Sequence, residues 1–130
     1  MIHSFKVLTT LSAYRVVSAV TGTAFTVQYP GAATHMPIGV TIDTVKDTTG
    51  AIPVATCGER AQLYFNDTCA SGELVKADTS GRGARWTVAA DTTTSLTLTG
   101  AYVGVLLGPT IALTGTIAEI LVMPGIAKGV

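Results

Sequence analysis

The chain has 130 residues, 12% charged side chains, a formal net charge of zero and a mean hydropathy of +0.49. A chain of that length fits one domain and can bury roughly two-thirds of its unfolded surface. The charge balance leaves no basic excess to neutralise phosphates, so nucleic acid is not an expected partner. No run of 18 or more apolar residues occurs, so no membrane-spanning helix is expected.

In chain order, short apolar runs alternate with turn residues. The opening Met1-Ile2-His3-Ser4-Phe5-Lys6 lacks a long apolar stretch, so no signal peptide is expected. Strands are expected over residues 6–11, 14–20, 24–29, 38–42 and 52–57. Further strands are expected over residues 61–65, 74–77, 85–89, 95–98, 103–107 and 117–123. Between them stand turn formers such as Gly22, Pro30-Gly31, Gly50, Gly58, Asn66-Asp67, Ser71-Gly72, Ser80-Gly81, Gly108-Pro109 and Pro124-Gly125. Threonine occurs 22 times, and Thr and Val suit the half-buried pleat of a strand. No sustained 3.6-residue apolar period appears. The expected fold is all-β, a compact sandwich or barrel of about ten short strands with little or no helix. Residues 1–12 read as an N-terminal arm, 13–125 as a single β domain and 126–130 as a tail.

The two halves resemble each other. Gly39-Val40, then Gly50 and Ile52, matches Gly104-Val105, then Gly115 and Ile117. Upstream, Phe25-Thr26-Val27 matches Trp86-Thr87-Val88, and Val16-Val17 with Ala19 and Gly22 matches Leu74-Val75 with Ala77 and Gly81. The offset grows from 58 (Val16 to Leu74) through 59 and 61 to 65 (Gly39 to Gly104). Turns tolerate insertion and strands do not, so a duplicated unit drifts in this way.

Few residues of the chain offer chemistry. His3 and His35 are the only histidines, and neither stands in a motif with an acid or a nucleophile. Asp43, Asp47, Asp67, Asp78 and Asp91 fall near turns, where Asp caps the backbone, and no pair has calcium-loop spacing. Cys57 and Cys69 are read as free thiols, too few for a zinc site. No enzyme activity, metal or cofactor is expected. Between Asp91 and Lys128 the only charged residue is Glu119, which reads as surface covered by partners. Gly81-Arg82-Gly83 lacks the Lys-Ser/Thr and helix of a phosphate loop. Arg82 and Arg85 lie beside the only tryptophan, Trp86, in a stretch read as a hairpin tip over a core Trp.

A family pattern emerges from pieces in order. These are Ala13-Tyr14-Arg15-Val16-Val17, Met36-Pro37-Ile38-Gly39-Val40, Gly50, Ile52-Pro53-Val54 and Gly58. They continue with Ser71-Gly72-Glu73-Leu74-Val75, Ala77-Asp78, Gly81-Arg82-Gly83, Val103-Gly104-Val105-Leu106-Leu107, Gly115 and Glu119-Ile120-Leu121-Val122-Met123-Pro124-Gly125. Over residues 13–125 the chain resembles the capsid decoration, or cement, proteins of tailed bacteriophages. The resemblance implies a protein that binds the outer surface of the expanded capsid, usually as a homotrimer, with the major capsid protein as its partner. It carries no catalytic residues. The residues singled out for capsid or trimer contacts are Phe5 and Lys6 in the arm, Arg82 and Arg85 in the Gly-rich turn, and Ile126 and Lys128 in the tail. Arm and tail are expected to add strands to a partner's sheet. The alternative is a receptor- or glycan-binding module, which requires a concave site around Tyr29, Tyr64, Trp86 or Tyr102.

Overall fold

A computed structural model describes residues 2–30, 37–44, 51–86 and 101–126. Among them are ten strands and no helix: β1 (Ile2–Val7), β2 (Val16–Ala19), β3 (Thr26–Gln28), β4 (Pro37–Thr41), β5 (Ala51–Ala55), β6 (Arg60–Phe65), β7 (Leu74–Ala77), β8 (Gly83–Arg85), β9 (Ala101–Leu106) and β10 (Thr116–Ile126). The all-β expectation holds. The expected strand over residues 95–98 lies outside the described residues.

The strands close into two five-stranded barrels, β1-β3-β2-β4-β5 and β10-β6-β8-β7-β9. Closure leaves neither sheet with an open edge, which removes the usual hazard of strand-on-strand aggregation. The barrels share one topology. β1 is parallel to β3 and antiparallel to β5, and β6 is parallel to β8 and antiparallel to β10. All remaining neighbours are antiparallel and correspond in the same way, β2 and β4 with β7 and β9 included.

Register makes the correspondence residue by residue. Val17 faces Gly39 as Val75 faces Gly104, and Val16 faces Val40 as Leu74 faces Val105. These are the equivalences that the sequence offset of 65 expected at β4 and β9. Two others shift. Val40 faces Ala55 while Val105 faces Leu121, so Ile52 corresponds to Ala118 rather than to Ile117. Strand alternation requires that one-residue correction, because Ile52 is buried whereas Ile117 is exposed. Ala19 faces Val27 as Ala77 faces Gly83, so Val27 corresponds to Gly83 and not to Val88. Phe25 then corresponds to Gly81, not to Trp86.

Each barrel is filled by alternate residues of its strands. Val7, Leu11, Val17, Val27, Ile52 and Val54 form the first core. Leu63, Phe65, Val75, Leu106, Ile120 and Val122 belong to the second. That second cluster continues into Val16, Val40 and Ala55, which lie on the outer face of the first barrel. Here β4 packs against β6, β9 and β10. Burying each Val fully is worth about 1.5–3 kcal/mol, so this seam binds the barrels into one body.

Backbone bonds stitch the same seam. The Val16 amide donates to the Gly81 carbonyl at 2.7 Å and the Tyr64 amide to the Tyr14 carbonyl at 2.9 Å. In the connection from β5 to β6, the Gly58 amide donates to Val122 at 2.8 Å, and the Val122 amide donates to Glu59 at 2.9 Å.

Residues 2–7, read from the sequence as part of an arm, form β1. It is paired with β5 from Ile2 to Lys6 and with β3 at Lys6 and Val7. One edge of β1 is therefore engaged from Ile2 to Lys6, and the other at Lys6 and Val7.

Candidate interaction surface

The six residues singled out from the sequence are spread along the chain, and five of them lie among the described residues. Phe5 packs half-buried against the first core, and Lys6 is exposed beside it on β1. Arg82 and Arg85 belong to the second barrel. Ile126 ends β10 opposite Ala101, and Lys128 lies outside the described residues.

Arg82 is bound into its own turn. Asp78 Oδ1 accepts from the amides of Ser80 and Arg82, each at 2.9 Å, and Arg82 Nε donates to Asp78 Oδ2 at 2.7 Å. An Asp can hold a turn in this manner because its carboxylate offers several acceptor sites to nearby amides. Trp86 is 8% exposed and meets Tyr102 edge to face with centroids 6.1 Å apart. The core reading of Trp86 therefore holds.

Arg85 behaves differently. Its Nε donates to Glu73 Oε2 at 3.0 Å, and Glu73 Oε1 accepts from the Ala70 amide at 2.8 Å. Beside this pair opens a cavity of about 250 Å³ lined by Cys69, Ala70, Glu73, Arg85, Thr110 and Ile111. It is smaller than the ~300–1,000 Å³ of ordinary small-molecule sites. Both cysteines are free, with Cys57 exposed and Cys69 buried. Burial pushes the Cys69 thiol up to about 11, aided by the Glu73 carboxylate, so it is protonated and unreactive at neutral pH. A second groove, about 210 Å³, lies at the seam between Tyr14, Thr41, Ile42, Arg60, Gln62 and Glu119.

The aromatic residues of the glycan-binding alternative are taken up in internal contacts. Tyr64 lies 4.7 Å beneath the Arg15 guanidinium, Tyr29 accepts the Ser12 amide at 2.6 Å through its hydroxyl, and Trp86 packs on Tyr102. None of them lines either cavity described above. Among the described residues, no cluster of three or more His, Cys, Asp and Glu is placed to hold a metal ion.

The surface feature that sequence reasoning missed is Phe25. It is 78% exposed and holds φ 53°, in the left-handed region. A bulky residue there is strained by about 1–2 kcal/mol. Its counterpart in the second barrel, Gly81, holds φ 75° without that cost. Tyr14 repeats the pattern, with φ 62° where the second barrel has Gly72 at φ 86°. Thus the first barrel carries aromatic side chains at two backbone positions where the second carries glycine. Such outliers concentrate at functional contacts. The signal was present in the sequence, but matching Phe25 to Trp86 concealed it.

Fold and surface together define a class: a tandem of closed five-stranded β-barrels fused through an apolar seam. No family model matches the chain, and no curated protein matches it in sequence. In structure it is similar to the N base of head fiber protein gp8.5 of bacteriophage phi29. The TM-score is 0.64 at 13% identity, covering 94% of this chain and 92% of that one. At such low identity the likeness is one of fold.

Proposed function

We propose that the chain is a virion structural protein of a tailed phage. It acts as a capsid decoration protein on the outer surface of the expanded capsid. There it contacts the major capsid protein and stabilises the shell by bridging neighbouring capsomers. It does so as a homotrimer, matching the local three-fold symmetry of the lattice, so that each subunit repeats one set of contacts. It is not an enzyme and needs no metal or cofactor.

The observation that carries this reading is the fold likeness to a phage head fiber base, which spans both barrels rather than one. The decoration-protein pattern over residues 13–125 and the near-absence of charge from Asp91 to Lys128 point the same way. So does closure of both barrels, since a part exposed on a virion gains from having no open strand edge. A ligand that binds only the expanded lattice stabilises that state by mass action.

The test is co-sedimentation of the purified chain with capsids of its own phage, before and after expansion. Binding to expanded capsids at a fixed ratio to the major capsid protein is expected, with later thermal disruption of the shell. A chain that never sediments with expanded capsids overturns the reading.

A further inference from the structure

Among the described residues, one turn rests on a ledge of the other barrel, and the corresponding turn and ledge make no such contact with each other's barrel. The turn between β7 and β8 carries Gly81, whose carbonyl accepts from the Val16 amide. A β-carbon on Gly81 would run into Val16, Tyr29 and Arg15. Arg15, Val16 and Tyr29 are thus the ledge on which the second barrel's turn rests. By register, the same ledge on the second barrel is Glu73, Leu74 and Arg85, because Val17 corresponds to Val75 and Tyr29 to Arg85. Nothing in the chain's described residues plays the part of Gly81 there. Instead the ledge borders the cavity of about 250 Å³ walled by Cys69, Ala70, Thr110 and Ile111. The equivalent turn of the first barrel, between β2 and β3, projects Phe25 outward at 78% exposure.

We propose that these two elements fit each other across two copies of this chain. Phe25 of one copy enters the cavity beside the Glu73–Arg85 pair of the next. The cavity has apolar walls in Ala70 and Ile111 and is of side-chain rather than small-molecule size. Arg85 supplies a guanidinium for the ring face, as Arg15 does for Tyr64 inside the chain. Lys6, exposed and with its amide on the Phe25 carbonyl at 2.7 Å, arrives with the ring and complements Glu73. The zero net charge of the chain does not oppose association of copies. Because the contact joins two different patches, it is head-to-tail, and it closes into a ring or extends as a filament according to the rotation it imposes. This deepens the self-association in the reading above. The assay uses the purified chain without capsids, so its failure leaves capsid binding to be decided separately.

Sedimentation equilibrium of the purified full chain tests the contact. Wild type is expected to assemble with concentration. Phe25→Gly is expected to associate about thirtyfold more weakly or worse, as for loss of a hot-spot aromatic. Its thermal unfolding is expected to be undiminished, since the second barrel already uses glycine at this position. Thr110→Arg, which blocks the mouth of the cavity, is a second variant expected to remain monomeric. Mixing the two variants is expected to give 1:1 dimers and nothing larger, because one supplies the only cavity and the other the only ring. Monomeric wild type up to the millimolar range overturns the proposal. So does assembly of folded Phe25→Gly at wild-type strength, or a mixture in which no 1:1 dimer forms.

Discussion

Gly39 and Gly104 occupy the same register position in the two barrels and face the same obstacle. A β-carbon on Gly39 would run into the Ala55 carbonyl, and one on Gly104 into the Leu121 carbonyl, at corresponding points of β5 and β10. Neither glycine has a positive φ. Both are required by close approach of a neighbouring strand rather than by turn conformation. Replacing either with alanine is expected to cost about 1–3 kcal/mol, because backbone must shift to admit the methyl group. Chemical denaturation of Gly39→Ala and Gly104→Ala measures this, and similar losses are expected from the pair. A negligible loss at either site would contradict the proximity of the strands.

The seam offers a pairwise measurement. The Arg15 guanidinium over the Tyr64 ring joins the start of β2 to β6, and the ion is only partly satisfied by hydrogen bonds. A double-mutant cycle with Arg15→Met and Tyr64→Leu is expected to give a coupling of about 0.5–2 kcal/mol. A coupling indistinguishable from zero would mean that the ring contributes packing alone.

Thr41 tests a buried polar node at the same seam. Its hydroxyl donates to the Ser12 carbonyl at 2.7 Å and accepts from the Arg15 amide at 3.0 Å, and the residue is fully enclosed. Thr41→Val keeps the shape and strands the Arg15 amide without this partner. A loss of about 1–3 kcal/mol is expected, read from urea midpoints at unchanged m value.

Asp78 separates charge from hydrogen bonding. Asp78→Asn keeps an acceptor for the Ser80 and Arg82 amides but removes the carboxylate facing Arg82 Nε. Because this pair is partly solvated, Asn is expected to cost under about 1 kcal/mol. Asp78→Ala removes every acceptor at once and is expected to cost more, about 1–2 kcal/mol. Thermal melts of the two variants side by side decide the order.

The two thiols are expected to differ in reactivity and in their effect on stability. At neutral pH a maleimide should label exposed Cys57 and spare Cys69, whose thiol is held protonated up to about 11. The unfolded chain releases the Cys69 proton at lower pH than the folded chain does. The stability this thiol contributes is complete below its ordinary range and is lost as pH rises toward 11. Cys69→Ala should therefore flatten the alkaline decline in unfolding free energy, whatever its cost at neutral pH. An unchanged slope would place the thiol in a more polar setting.

Much of the fold was legible because its signals are local. The strand expected over residues 74–77 is β7 itself, and the match of Gly39-Val40 to Gly104-Val105 holds in register. Failures arose where a residue's role is set across the barrel. Gly83 read as a turn residue, yet it lies in β8 beneath Phe65 and Leu63, where a β-carbon would be crowded. That reading started the strand at 85 rather than 83, residues 87–89 of the expected strand lying outside the described residues, and carried Phe25 onto Trp86. Residues 2–7, read from the sequence within an arm, have no pairing partner nearby in sequence. Their partners, β5 and β3, are reached only on closure. Of the candidate contacts, Arg82 is held by an aspartate four residues before it, whereas Arg85 lines the cavity beside Glu73 and Lys6 bonds the Phe25 carbonyl.

The buried outer face of Val16, Val40 and Ala55 has a consequence for how the two barrels stay together. A lone first barrel would present three apolar side chains to water, on the face that now rests against its neighbour. Joined by the short connection through Cys57, Gly58 and Glu59, the two barrels meet at an effective concentration in the millimolar range or above, whatever the dilution of the chain. Covalent connection thus makes the meeting of the two barrels a property of each single molecule, independent of abundance.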